Sequence, residues 1–217
     1  MKMKKELTPE RKKERALAYL MGKYGEKFAP ISMSQSGWGQ GYDKLYFYPI
    51  KGSKDKDTFA LWGTMRDDRR YAMHDGYFGI IIKDKYEAVM SGFVKEIYKE
   101  FKLYTNIDRN VVHPDRLNKN TKISEIYNSE EHFISYTTIF LKCSSAKGID
   151  TSKSLKTIAK KMKENKLVGK VTIYIAFDNK FESVDYDILD KDTREFFVRG
   201  SRRYIWVNPN LEIDEVE

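Results

Sequence analysis

The sequence predicts an α+β fold in which helices pack on antiparallel sheets, and three observations carry the prediction. Apolar residues recur at helical spacing in two segments, near 17–24 and 89–101. β-prone runs rich in Tyr, Phe, Ile and Val lie beside them, joined by polar turns, which reads as an antiparallel meander. Beyond a polar stretch at 105–131, the chain again combines one helix with strands, so two similarly layered halves are expected.

The elements follow in order. Thr8-Pro9-Glu10 is a helix start: Thr8 can cap, Pro9 fits the first turn and Glu10 complements the helix dipole. Leu17, Leu20, Met21 and Tyr24 then share a face and Gly25 is the stop, which predicts a helix over 9–24. Strands are expected at 31–34, 45–50, 58–64 and 77–82. Asp84 to Glu87 resembles a capping box, and the apolar stripe from Val89 to Phe101 predicts a helix over 85–102. The second portion should hold a strand at 133–143 ending on a buried Cys143, and a helix starting at Ser154 with its lysines outward. Strands are expected at 171–177, 181–188 and 203–207, with a short helix over 190–198. The domain reading is therefore 1–107 (helix, meander, helix), a connection at 108–131, and an α+β half at 132–217.

Composition narrows the class. With 41% hydrophobic residues in 217, the chain has the apolar content for a core, which excludes disorder. A single cysteine excludes an intrachain disulfide and a multi-cysteine zinc site. The net charge of +8 is carried by a mildly basic body between a basic start and an acidic end. Such a surface attracts anionic partners weakly. No run approaches the roughly 20 apolar residues of a membrane span.

The chemical motifs are mostly incomplete. Gly37-Trp38-Gly39-Gln40-Gly41 lacks the Gly-Lys-Ser/Thr of a phosphate loop and is followed by strands, so it reads as a loop displaying Trp38. His74-Asp75 offers half a triad, but no nucleophile elbow accompanies it. His74, His113 and His132 lack metal-ligand spacing. Asp185 and Asp187 would share a face of a strand, which is the basis for considering a metal-dependent hydrolase. The segment 196–206 interleaves basic and aromatic residues: Arg199, Arg202, Arg203, Tyr204 and Trp206 could join phosphate contact to base stacking. The lysine face of the helix after Ser154 is a candidate extension of that patch.

Two further segments, Y-L-M-G-K-Y-G-E-K-F at 19–28 and D-G-Y-F-G-I-I-I-K-D-K-Y-E at 75–87, resemble a group of uncharacterised proteins from Gram-positive bacteria, often apparent lipoproteins. The resemblance covers roughly the first 105 residues. It implies an exported or surface protein and no known activity. The sequence shows no lipobox cysteine and no apolar segment behind its basic start. The expectation is cytoplasmic if Met1 is native, and cell-surface or extracellular if a signal was removed.

The leading expectation is a non-catalytic binding or interaction module, with Trp38, Arg199, Arg202, Arg203, Tyr204 and Trp206 as candidate contacts. No catalytic residue, metal ligand or cofactor is assigned. The sequence identifies no partner; protein, cell-surface polymer and nucleic acid are the classes it permits. A weak nucleic-acid binder is the alternative, and the metal-dependent hydrolase comes third.

Overall fold

A computed structural model describes residues 7–37, 39–68, 70–108, 112–131, 133–190 and 195–216. Among them the fold is α+β, with four helices, a four-stranded sheet and a five-stranded sheet. The chain divides into two compact units that interleave in sequence. One comprises Met1–Ile82 and Asp108–Thr121; the other comprises Lys83–Ile107 and Lys122–Glu217.

In the first unit, helix α1 (Pro9–Tyr24) has the predicted ends. Thr8 Oγ1 accepts from the Arg11 amide, and the Gly25 amide returns to the Met21 carbonyl at 2.8 Å. Strands β1 (Phe28–Ser34), β2 (Asp43–Pro49), β3 (Phe59–Met65) and β4 (Tyr71–Asp75) pair antiparallel in chain order. The period-2 alternation in β2 and β3 sends Leu45, Phe47, Phe59 and Leu61 to one face. They pack there with Phe28 and with Ala16, Leu20 and Tyr24 of α1. Gly63 in β3 is required by close approach. A Cβ there would collide with the Tyr71 ring, whose hydroxyl reaches Asp43 Oδ2 at 2.6 Å.

Two buried carboxylates pin α1 to this sheet. Asp43 accepts from Lys12 Nζ at 2.9 Å, from the Ser36 amide at 2.9 Å and from Tyr71. Burial opposes its charge, but these bonds outweigh burial and hold its pKa below the usual carboxylate range. Asp75, fully buried, meets the far end of the helix. It accepts from Lys23 Nζ at 2.8 Å and from the Tyr24 hydroxyl at 2.7 Å. The Tyr19 hydroxyl lies 3.0 Å from Asp75 and 2.8 Å from Asp115, so one proton bridges two carboxylates. Burial, with Asp75 next, raises the Tyr19 and Tyr24 phenols far above their ordinary range. Lys12, Tyr19 and Lys23 recur at i, i+7 and i+11, one stripe of the helix. The 112–121 segment closes the arrangement: the His113 amide bonds the Asp75 carbonyl at 2.9 Å, and His74 Nδ1 lies 3.2 Å from Asp115. Thus His74 and Asp75 end strand β4, with their partners supplied by α1 and the 112–121 segment.

Helix α2 (Tyr77–Lys95) corrects the strand expected over 77–82. The Asp75 carboxylate accepts from the Tyr77 amide at 3.0 Å, which caps the helix start. Phe78, Ile82, Tyr86, Met90 and Val94 then form one buried stripe four residues apart. The helix stops at Lys95, and the residues expected to end it belong to strand β5 (Phe101–Asn106).

In the second unit, β6 (Ser135–Lys142), β7 (Gly169–Ala176), β8 (Arg203–Val207) and β9 (Ile213–Val216) continue the sheet in the order β5-β6-β7-β8-β9. β6 and β7 are parallel; the other pairs are antiparallel. The parallel pair needs a crossover. It is supplied by α3 (Cys143–Ala146) and α4 (Thr151–Glu164), which is capped by Asp150. Cys143 therefore opens a short helix and is half-buried, where a core position was expected. Gly169 starts β7 so tightly against Ser135 that a Cβ would strike its carbonyl. Residues 181–188 form helical turns at Phe181–Ser183 and Tyr186–Asp190, not a strand. Phe181, Val184 and Ile188 are spaced by three and four, and pack on Phe140, Ala176 and Phe197. Of the helix expected over 190–198, residues 191–194 lie outside the described set, and Phe197 bridges to Ala176.

Two predictions follow from this framework. Burial pushes the His113 pKa down to about 4. Between about pH 6.5 and that value the unfolded chain binds a proton that the folded chain refuses, so stability falls as pH falls, by up to about 3 kcal/mol. His74 has the opposite sign: the Asp115 bond raises its pKa. Its contribution is complete below about pH 6.5 and is lost as pH rises through the folded value. Urea unfolding of His113→Phe across this range should show a shallower acid slope than the wild type; equal slopes would remove His113 from the account. Separately, Lys166 follows α4 in the left-handed region at φ 55°. Its amide bonds the Lys163 carbonyl, and Leu167 bonds Met162. Lys166→Gly should stabilise the protein by about 0.5–1 kcal/mol in the same assay.

Candidate basic-aromatic sheet face

The five-stranded sheet has two unlike faces. On one, Thr137, Ile139, Val171, Ile173, Ile205 and Val207 are buried, and Ser135 Oγ donates to the Tyr86 hydroxyl of α2 at 2.7 Å. Helix α4 packs on β7 and β8. Its buried residues are Ser154, Leu155, Ile158, Ala159 and Met162.

The alternate residues form the other face, and the strand register arranges them in rows. One row reads Asn106, Tyr136, Lys170, Trp206, Asp214 across the strands. The next reads Tyr104, Thr138, Thr172, Tyr204, Val216. Beyond them, Phe140 and Tyr174 run beneath Phe197, where the helical turns cover the sheet. The rows nearer Tyr136 are more open. Tyr136 is 43% exposed, while Lys170, Tyr204 and Trp206 are half-buried.

Charge and rings are interlocked there. Lys170 Nζ sits 4.0 Å from the centre of the Tyr204 ring. The Arg202 guanidinium approaches the same ring at 5.7 Å and Tyr174 at 5.9 Å. A ring face attracts each cation, by roughly 0.5–1 kcal/mol at an exposed site. Burial, then the Arg202 charge, lowers the Lys170 pKa. Tyr136 and Trp206, which flank Lys170 in the register, lean together with ring centres 6.2 Å apart and planes at 52°.

The expected contact residues divide accordingly. Tyr204, Trp206 and Arg202 come together on this face. Arg203 belongs by strand alternation to the opposite side, and its guanidinium donates to the Gly200 and Arg202 carbonyls of its own turn. Arg199 is exposed in that turn. Trp38, like His132, lies outside the described residues. The α4 lysines do not join the patch, because the buried stripe of α4 packs on the other side of the sheet. Tyr136, Lys170 and Tyr174 were missed. They lie in β6 and β7, and only pairing brings them beside β8; the signal was the alternation in 135–142 and 169–176. Asp185 and Asp187 do not share a strand face, and Asp185 caps the turn by accepting from the Ile188 amide at 3.0 Å. Among the described residues no group of three or more His, Cys, Asp or Glu could hold a metal ion. No described helix is long and apolar enough to cross a membrane.

The Tyr204 ring, not its hydroxyl, makes these contacts. Tyr204→Phe should stay within about 0.5 kcal/mol of wild-type stability, and Tyr204→Leu should cost about 1 kcal/mol. Chemical denaturation of the pair checks this; equal losses would assign the role to the hydroxyl.

No protein-family model matches the chain, and no curated protein matches it. Among solved structures it is similar to the crystal structure, at 2.55 Å resolution, of a DUF5037 family protein from Ruminococcus gnavus, with 11% identity, 94% of each chain covered and a TM-score of 0.43. A likeness that distant transfers no function.

Proposed function

We propose that the protein is a non-catalytic binding module that engages its ligand through the open face of the five-stranded sheet. The observation that supports this reading is the row Tyr136, Lys170, Trp206, with Arg202 and Tyr204 beside it. Rings left exposed on an ordered sheet offer flat contact area at low entropic cost, since each is already held in place. Interlocked cations add electrostatic selection. Single cation–ring pairs occur elsewhere in the protein, but here two cations share the Tyr204 ring beside the Tyr136–Trp206 pair.

A panel of defined ligands tests the reading: a single-stranded oligonucleotide, a heparin fragment, a chitin oligosaccharide and anionic lipid vesicles. At least one should shift backbone amide resonances centred on Tyr136, Lys170, Tyr204 and Trp206, and Trp206→Ala should abolish those shifts. Binding centred elsewhere, for example on the 36–41 loop, or no binding by any member, would overturn it.

A further inference from the structure

We propose that the ligand of this face is single-stranded nucleic acid, with a backbone phosphate seated between Lys170 and Arg202 and bases laid on Trp206 and Tyr136. This rests on the binding reading above and names the ligand class for the same site.

The first argument is electrostatic. Lys170 and Arg202 converge on one ring, and among the described residues neither has a carboxylate within 4.0 Å. Two like charges held together, one of them half-buried, repel. An anion between them relieves that repulsion, and a phosphate oxygen accepts from both an ammonium and a guanidinium. The second argument is geometric. The Tyr136 and Trp206 planes differ by 52°. Bases in a duplex are parallel and hide their faces in the stack, so a duplex cannot use both platforms. Bases splayed from a single strand can. The third argument is the combination. A neutral glycan would use the rings and leave the cations uncompensated. A sulfated polysaccharide would use the cations but offers the rings only sugar C–H faces. A single strand offers the cations a phosphate and the rings a flat base that stacks on them. Asp214 closes the row beyond Trp206, held by the Asn208 side-chain amide at 3.3 Å. Its carboxylate repels phosphate, so the strand should run along β8 toward Arg202 and the exposed Arg199.

Fluorescence anisotropy with the whole protein and a labelled oligo-dT of about a dozen nucleotides decides the matter. One phosphate held by both cations predicts a log–log salt slope of about −0.7, and Lys170→Met or Arg202→Met should each weaken binding and flatten that slope. Trp206→Ala should weaken binding roughly tenfold or more without altering the slope. Lys160→Gln and Lys163→Gln, on the surface of α4, should change neither. The same sequence as a duplex should bind more weakly. Heparin shifting this face while oligo-dT does not would overturn the ligand assignment and leave the binding reading standing. No ligand on this face would overturn both. Oligo-dT binding unaffected by the Lys170, Arg202 and Trp206 variants would place nucleic acid elsewhere and overturn the seat.

Discussion

A carboxylate shut away from water must have donors around it, and Asp75 organises the first unit by collecting them. Its side chain takes bonds from Lys23, Tyr24 and the Tyr77 amide, with Tyr19 bridging to Asp115, and its carbonyl takes the His113 amide. One residue at the end of a strand thereby fixes the far end of α1, the start of α2 and the returning 112–121 segment. Apolar packing sets the distance of α1 from the sheet. The polar bonds set its rotation and register, because Lys12 and Asp43 at one end and Lys23 and Asp75 at the other can be satisfied together in only one seating. Such pairs add little net energy over apolar replacements, but breaking one partner leaves a buried charge behind. Specificity of docking is their physical contribution here.

The charges of the sheet face in the second unit are arranged on the opposite plan. In the first unit Lys12 and Lys23 meet buried carboxylates and are neutralised in place. On the open sheet face, Lys170 and Arg202 meet an aromatic ring, whose quadrupole orients a cation without cancelling its charge. The ring holds the two groups in position while leaving their field directed outward. That difference, more than the overall charge of +8, is what the proposed binding role rests on.

What could be read from the sequence was whatever local chemistry decides. Thr8, Pro9 and Gly25 bound α1 because caps act within one turn. Arg203–Val207 was legible because its alternation is uninterrupted. Tyr77–Ile82 misled because Ile-Ile-Ile has strand propensity, while the deciding bond comes from Asp75 two residues upstream and the stripe is spaced by four. Residues 181–188 misled in the same way, alternation being mimicked by positions three and four apart. The site was half legible. Its β8 side is contiguous in sequence and was found, including one arginine that strand alternation then removed. Its β6 and β7 side depends on register, which no local pattern fixes across a parallel crossover.

The interleaving of the two units bears on how the chain is made. Residues 108–121 belong with the N-terminal unit but follow 83–107, which belong with the other. During synthesis α1 and the first four strands emerge early, yet Asp75 and Tyr19 lack Asp115 and the His113 amide until the ribosome has passed that segment. The N-terminal unit therefore waits, with its helix seated on an incomplete polar clasp, for roughly forty more residues, a delay of about 2–8 s at ordinary elongation rates. No single cut releases either unit whole. A cleavage at 83–107 would separate two stretches that must fold together, so the chain is committed to folding as one piece of covalent order even where its cores are two.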